Sequence, residues 1–119
     1  MKRKIIISEL IKNGLTESNG LILRKKIEQI MKELSESDTV VLDFKDISLF
    51  ATPFFNSSIG YFVLNLGPEK FNRIFKLEQI SELGLDTYQH SYENAVEIYN
   101  KRTNIDVVGE ITKNNIENS

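Results

Sequence analysis

The chain has 119 residues, 40% of them hydrophobic and 27% charged, with 15 basic against 17 acidic side chains and a net charge of −2. That is enough chain for one hydrophobic core without a metal or disulfide staple, and the near-even balance lacks the basic excess of a nucleic-acid binder. There is no cysteine, which excludes disulfides and thiol nucleophiles and fits a reducing cytoplasm, and no apolar run approaches the length of a membrane span.

In chain order, Lys2-Arg3-Lys4 leads into Ile5, Ile6 and Ile7, then Leu10 and Ile11. Ser8 and Glu9 cut the apolar stretch too early for a secretory leader, so the β-branched start predicts a first strand. Asn13-Gly14 and Ser18-Asn19-Gly20 read as turns, with Ser18 or Asn19 as the cap of the next helix. Leu23, Ile27, Ile30, Met31 and Leu34 recur at helical spacing, with Arg24, Lys25, Glu28, Gln29 and Lys32 on the wet side. Residues 39–44 are apolar in succession rather than in alternation, as in a strand covered on both faces at the centre of a sheet.

Beyond Pro53, the spacing of Phe55, Ile59, Phe62, Val63 and Leu66 predicts one helix, ended by Gly67-Pro68. Residues 73–77 predict a short strand. Residues 81–102 read either as one helix capped by Ser81, striped by Leu85, Tyr88, Tyr92, Ala95, Val96 and Tyr99, or as two, broken at Gly84 and recapped at Ser91; stripe continuity favours one. The Asn-, Lys- and Glu-rich end predicts a single domain over 1–111 and a disordered tail over 112–119. The β-α-β-α-β-α order predicts a small α/β layer fold, its sheet mixed or parallel, with right-handed crossovers making strand pairs parallel and helices packed on the sheet.

The stretch 39–60 carries the functional reading. Val40-Val41-Leu42-Asp43-Phe44 meets a turn at Lys45-Asp46, a second apolar patch ending at Phe50, and then Thr52-Pro53 opening a helix. A strand running up to a helix N-terminus presents free N–H groups that favour anions. Thr52-Pro53 is a standard helix opening, the hydroxyl capping and Pro53 at the first helical position. The same hydroxyl is a candidate phosphoacceptor, and the two roles are compatible. Arg24 and Asp43 are candidate neighbours of an anion there.

Phe50, Ala51, Thr52, Phe54 and Tyr61 are the candidate partner-binding residues, Phe50, Phe54 and Tyr61 lying off the main stripe; the alternative is that this helix is buried on several sides. Asp43 and Asp46 are close enough to suggest an acid–base pair, yet a strand-end carboxylate accepting loop N–H bonds and a turn aspartate explain both more simply. His90, the one histidine, has no evident partner for catalysis or metal binding. Dinucleotide, P-loop and zinc spacings are absent. The expectation is a protein without enzymatic activity, cofactor or metal.

The element order, with Leu42-Asp43-Phe44 closing the central strand, resembles the STAS domain of anti-sigma factor antagonists. It resembles still more closely the STAS-like domains of bacterial proteins, over residues 3–102. In the antagonists the next helix opens on an Asp-Ser-Ser-Gly motif whose first serine a partner kinase phosphorylates. The matching positions are Ala51, Thr52, Pro53 and Phe54. The acid is lost, threonine replaces the acceptor serine, and Pro-Phe replaces Ser-Gly, so the resemblance implies the fold more strongly than the switch. It implies a cytoplasmic, non-enzymatic regulatory module that binds a protein, such as a histidine-kinase-like ATPase, and is switched by phosphorylation; a homodimer stays open, and neither nucleic acid nor membrane is expected as a partner. The alternative is a sensor of a nucleotide or anionic metabolite at the helix start near Thr52.

Overall fold

The computed structural model describes residues 2–103, and beyond them only the helical path of the last helix. The elements are β1 (Lys2–Ile6), a 3-10 turn (Ile7–Glu9), α1 (Glu17–Met31), β2 (Thr39–Asp43), α2 (Thr52–Ser57), α3 (Ile59–Leu66), α4 (Pro68–Ile74), β3 (Phe75–Glu78) and α5 (Glu82–Asn118). The expected domain limit at 111 and the expected disordered tail over 112–119 lie outside the described residues.

The three strands pair in parallel in the order β1-β2-β3, with β2 at the centre. When successive strands are laid across a sheet through crossovers of one hand, the connecting helices fall on the same face. The side chains agree. The register puts Arg3 and Ile5, Val40 and Leu42, and Phe75 and Leu77 on one face. Ile5, Val40, Leu42 and Phe75 join Leu23, Ile27, Phe54, Phe55 and Ile59 in the core. On the other face Lys2, Lys4, Ile6, Lys76 and Glu78 are exposed.

Val41 lies on that second face and is nevertheless buried. Its cross-strand neighbours are Lys4 and Lys76, whose ammonium groups reach Asp43 and the Asn72 carbonyl; long lysine stems beside an apolar side chain shield it from water. The unbroken apolar run thus marks a central strand, as expected, but helices cover only one face of it.

Local hydrogen bonding moves several expected boundaries. The cap of α1 is Thr16 rather than Ser18 or Asn19: its hydroxyl accepts the Asn19 N–H at 3.0 Å. The single helix expected after Pro53 is broken at Ser58 (φ −108°, ψ −93°). The hydroxyl of Ser58 donates back to the Phe54 carbonyl at 2.7 Å, and such competition with the helical ladder bends helices.

Gly67 (φ +86°) ends α3. Pro68 then opens α4, a helix the sequence reading misses, which buries Phe71 and Ile74 and delays β3 to Phe75. The last segment is one helix. Ser81 caps it, accepting the Gly84 N–H at 3.1 Å. Gly84, Tyr88, Ser91 and Ala95 face inward while Leu85, expected on the stripe, is exposed. This helix docks on α2 and α3.

Candidate functional site

The C-terminal edge of the sheet is built around Asp43. Its Oδ1 accepts the Lys45 N–H at 2.9 Å, and its Oδ2 accepts the Gln79 side-chain amide at 3.3 Å and pairs with Lys4 Nζ at 3.2 Å. The Lys45 backbone bond, against the upward pull of burial and helped by the Lys4 ammonium, holds this carboxyl below its ordinary value. Both oxygens are engaged by protein groups, so Asp43 clamps β1, the end of β2 and the residue after β3 together. Asp46, its suggested acid–base partner, is exposed at a left-handed turn position (φ 68°).

The loop from Ile47 to Ala51 is pinned to the β1–α1 loop. The Gly14 N–H donates to the Leu49 carbonyl and the Ala51 N–H to the Gly14 carbonyl, both at 2.8 Å, making a parallel bridge at Phe50. The Phe50 ring stacks on Phe55, centroids 5.6 Å apart and planes 9° from parallel. A Cβ built on Gly14 or Gly84 would come within 2.9 or 2.6 Å of that ring. Phe50 is therefore wedged between this loop pair and the first turn of α5, with one part of it still reaching the surface.

Ala51 (φ −146°, ψ 153°) is the N-cap of α2 and offers no side-chain acceptor; Thr52 is the first helical residue and is exposed, with Pro53 second. Thr52 is thus not the cap that the Thr-Pro pair predicts. Arg24 is occupied elsewhere: its Nε donates to Glu28 at 3.0 Å and its guanidinium lies 3.4 Å from the centroid of the Tyr61 ring. A shallow dent of about 290 Å³ beside Pro53 is lined by Glu17, Asn56 and Ser57, a carboxylate and no cation.

Of the expected partner contacts, Phe50, Ala51 and Thr52 reach the surface at this edge, whereas Phe54 is fully buried and Tyr61 lies half-buried under Arg24. Phe54 is corrected to a core residue, because α2 is covered by α1 and the β1–α1 loop on that side as well as by α5. His90 is exposed on α5. What the sequence reading does not anticipate is the exposure of Leu15, Leu49 and Leu83, by 38%, 55% and 64%. Their signal was their position, large apolar side chains in loops or a first turn and out of step with any stripe.

No helix among the described residues is long and apolar enough to cross a membrane. No curated protein and no solved structure matched the chain. A family model described as a STAS-like domain of unknown function (DUF4325) matches residues 19–84, less than the 3–102 of the resemblance but spanning β2, the Phe50 loop and Thr52. With more than half its length under that match, the chain belongs to this STAS-like family.

Proposed function

We propose that the chain is a non-enzymatic regulatory module of the bacterial cytoplasm that binds a protein through the loop between β2 and α2. Family membership supports a regulatory module in general. The observation that carries the surface is the exposure of Leu49, on a loop whose backbone is pinned to Gly14, and of Thr52, the first residue of the helix that this loop leads into. A rigid scaffold presenting an exposed loop is the usual arrangement of a binding site. The partner implied by the resemblance is a histidine-kinase-like ATPase, with Thr52 as the phosphoacceptor.

A phosphate there adds about −1.5 to −2 charges. The free N–H groups at the start of α2 tolerate it, so the fold survives. A partner packed on Phe50 and Ala51 has to desolvate that charge, so phosphorylation releases it. A nucleotide or anionic-metabolite sensor draws less support, since the dent beside Pro53 carries Glu17 and Arg24 is engaged with Glu28 and Tyr61.

The test is affinity purification of the tagged full chain from its host, followed by binding measurements with the ATPase recovered. Thr52→Glu should melt like wild type and bind roughly tenfold or more weakly. Thr52→Ala should bind like wild type and no longer take up phosphate. Wild-type affinity in Thr52→Glu removes the switch, and recovery of no ATPase removes the partner.

A further inference from the structure

We infer that the groove along α5 is the interface between two copies of this chain, filled by the α5 helix of the second copy lying antiparallel to the first. The groove holds about 550 Å³. Pro68, Tyr92 and Val96 line it as half-buried side chains, and Glu93, Glu97 and Lys101 as exposed ones. The α5 residues stand on successive turns, so the groove follows the helix axis. The Tyr92 hydroxyl accepts the Asn72 side-chain amide at 2.8 Å, which holds that ring in place against α4. An apolar strip with charges along its side is the make-up of an interface centre and its rim. No residue of the loop between β2 and α2 lines the groove, so it is a second surface, independent of the one proposed above.

Charge and length identify the occupant. Along the axis the groove presents Glu93, then Glu97, then Lys101. Lys101 bonds Glu97 at 2.9 Å, and Glu93 forms no ion pair with a described residue. Acid at one end and base at the other make the groove complementary to its own reverse. With the two-fold axis just beyond Glu97, each copy's Lys101 falls between the other's Glu93 and Glu97. A parallel pair would set like charges together, and a uniformly cationic helix would meet Lys101. Specific interfaces bury roughly 1,200–2,000 Å² in total. The helix α5 runs from Glu82 to Asn118, about 55 Å at 1.5 Å per residue, so two of them crossing here have the length to bury that much.

The test is sedimentation of the full chain over a range of concentrations, which should show a monomer–dimer equilibrium. Glu93→Lys and Lys101→Glu should each raise the dimer dissociation constant roughly tenfold while keeping the circular dichroism of wild type. The two variants mixed in equal amounts should pair as tightly as wild type, because each lysine at 101 or 93 then meets a carboxylate of the other chain. The chain has no cysteine, so orientation can be read from single introduced thiols. Glu97→Cys, beside the axis, should cross-link in air. His90→Cys, also exposed on α5 but about 20 Å from its own copy in an antiparallel pair, should not. A monomer at every concentration up to about 1 mM, charge variants that dimerise like wild type, or a mixture no tighter than its parts would overturn the inference. So would equal cross-linking at both positions, which means a parallel pair, or a different protein seated in the groove of a chain that stays monomeric.

Discussion

The Asp43 carboxylate accepts the Lys45 N–H and the Gln79 amide and pairs with Lys4, so β1, the end of β2 and the residue after β3 meet on one side chain. Because it is held below its ordinary value, this group binds a proton less readily folded than unfolded. Its contribution to stability is therefore full above the unfolded value of about 3.9 and is lost as pH falls through the lower folded value. Asp43→Asn keeps the shape and gives up the charge. Urea midpoints measured from neutrality down through about pH 3 should fall less steeply for the variant than for wild type, and parallel curves would show that Asp43 is not the acid-sensitive group. The sequence marked Asp43 as a strand-end acceptor of loop N–H bonds, and that reading holds. It had no means of showing that Thr52 stands one residue past the cap, because a Thr-Pro pair fits either position.

Where α1 crosses α2, the two backbones approach through Gly20. A Cβ built there would fall on the Ser57 hydroxyl and 2.5 Å from the Phe54 carbonyl oxygen. The Ser57 hydroxyl itself donates to the Glu17 carbonyl at 3.1 Å, tying one helix to the other. Gly20→Ala should accordingly cost about 1–3 kcal/mol through forced separation of the helices, despite alanine's better helix propensity. Adding Ser57→Gly should restore only part of this, since the Phe54 carbonyl remains in the way; thermal melts of the two variants decide it, and an unchanged Gly20→Ala midpoint would mean the crossing is loose. The stripe of α1 and the apolar run of β2 were legible because each repeats a single period. The break at Ser58 was not, since a hydroxyl bonding back to Phe54 leaves no mark on apolar spacing. Phe54 and Phe55 both turn inward because α2 is covered on two sides, by α1 and by α5, the burial on several sides that apolar spacing alone left open. The helix α4 was hidden for a related reason: Pro68 ends one pattern and begins another too short to show a stripe.

At the scale of the whole molecule, the family match over 19–84 leaves out β1 and all but the first residues of α5. Both are needed. Lys4 of β1 pairs with Asp43. Tyr88 of α5 packs edge-on against Phe55 with centroids 5.7 Å apart, and the Ser91 hydroxyl donates to Asn56 at 2.6 Å. A fragment of residues 19–84 should show no cooperative melt by circular dichroism, because it exposes Phe55 and strips one side of β2; a sharp transition would show that the matched segment folds alone. The position of α5 after β3 also sets a schedule. As the chain leaves the ribosome, each strand finds its neighbour already made, so the sheet is complete once β3 emerges. Its helical layer still lacks a roof over Phe55 and Gly60, and only the last helix supplies it. Synthesis halted in that interval releases a sticky intermediate and not a smaller domain.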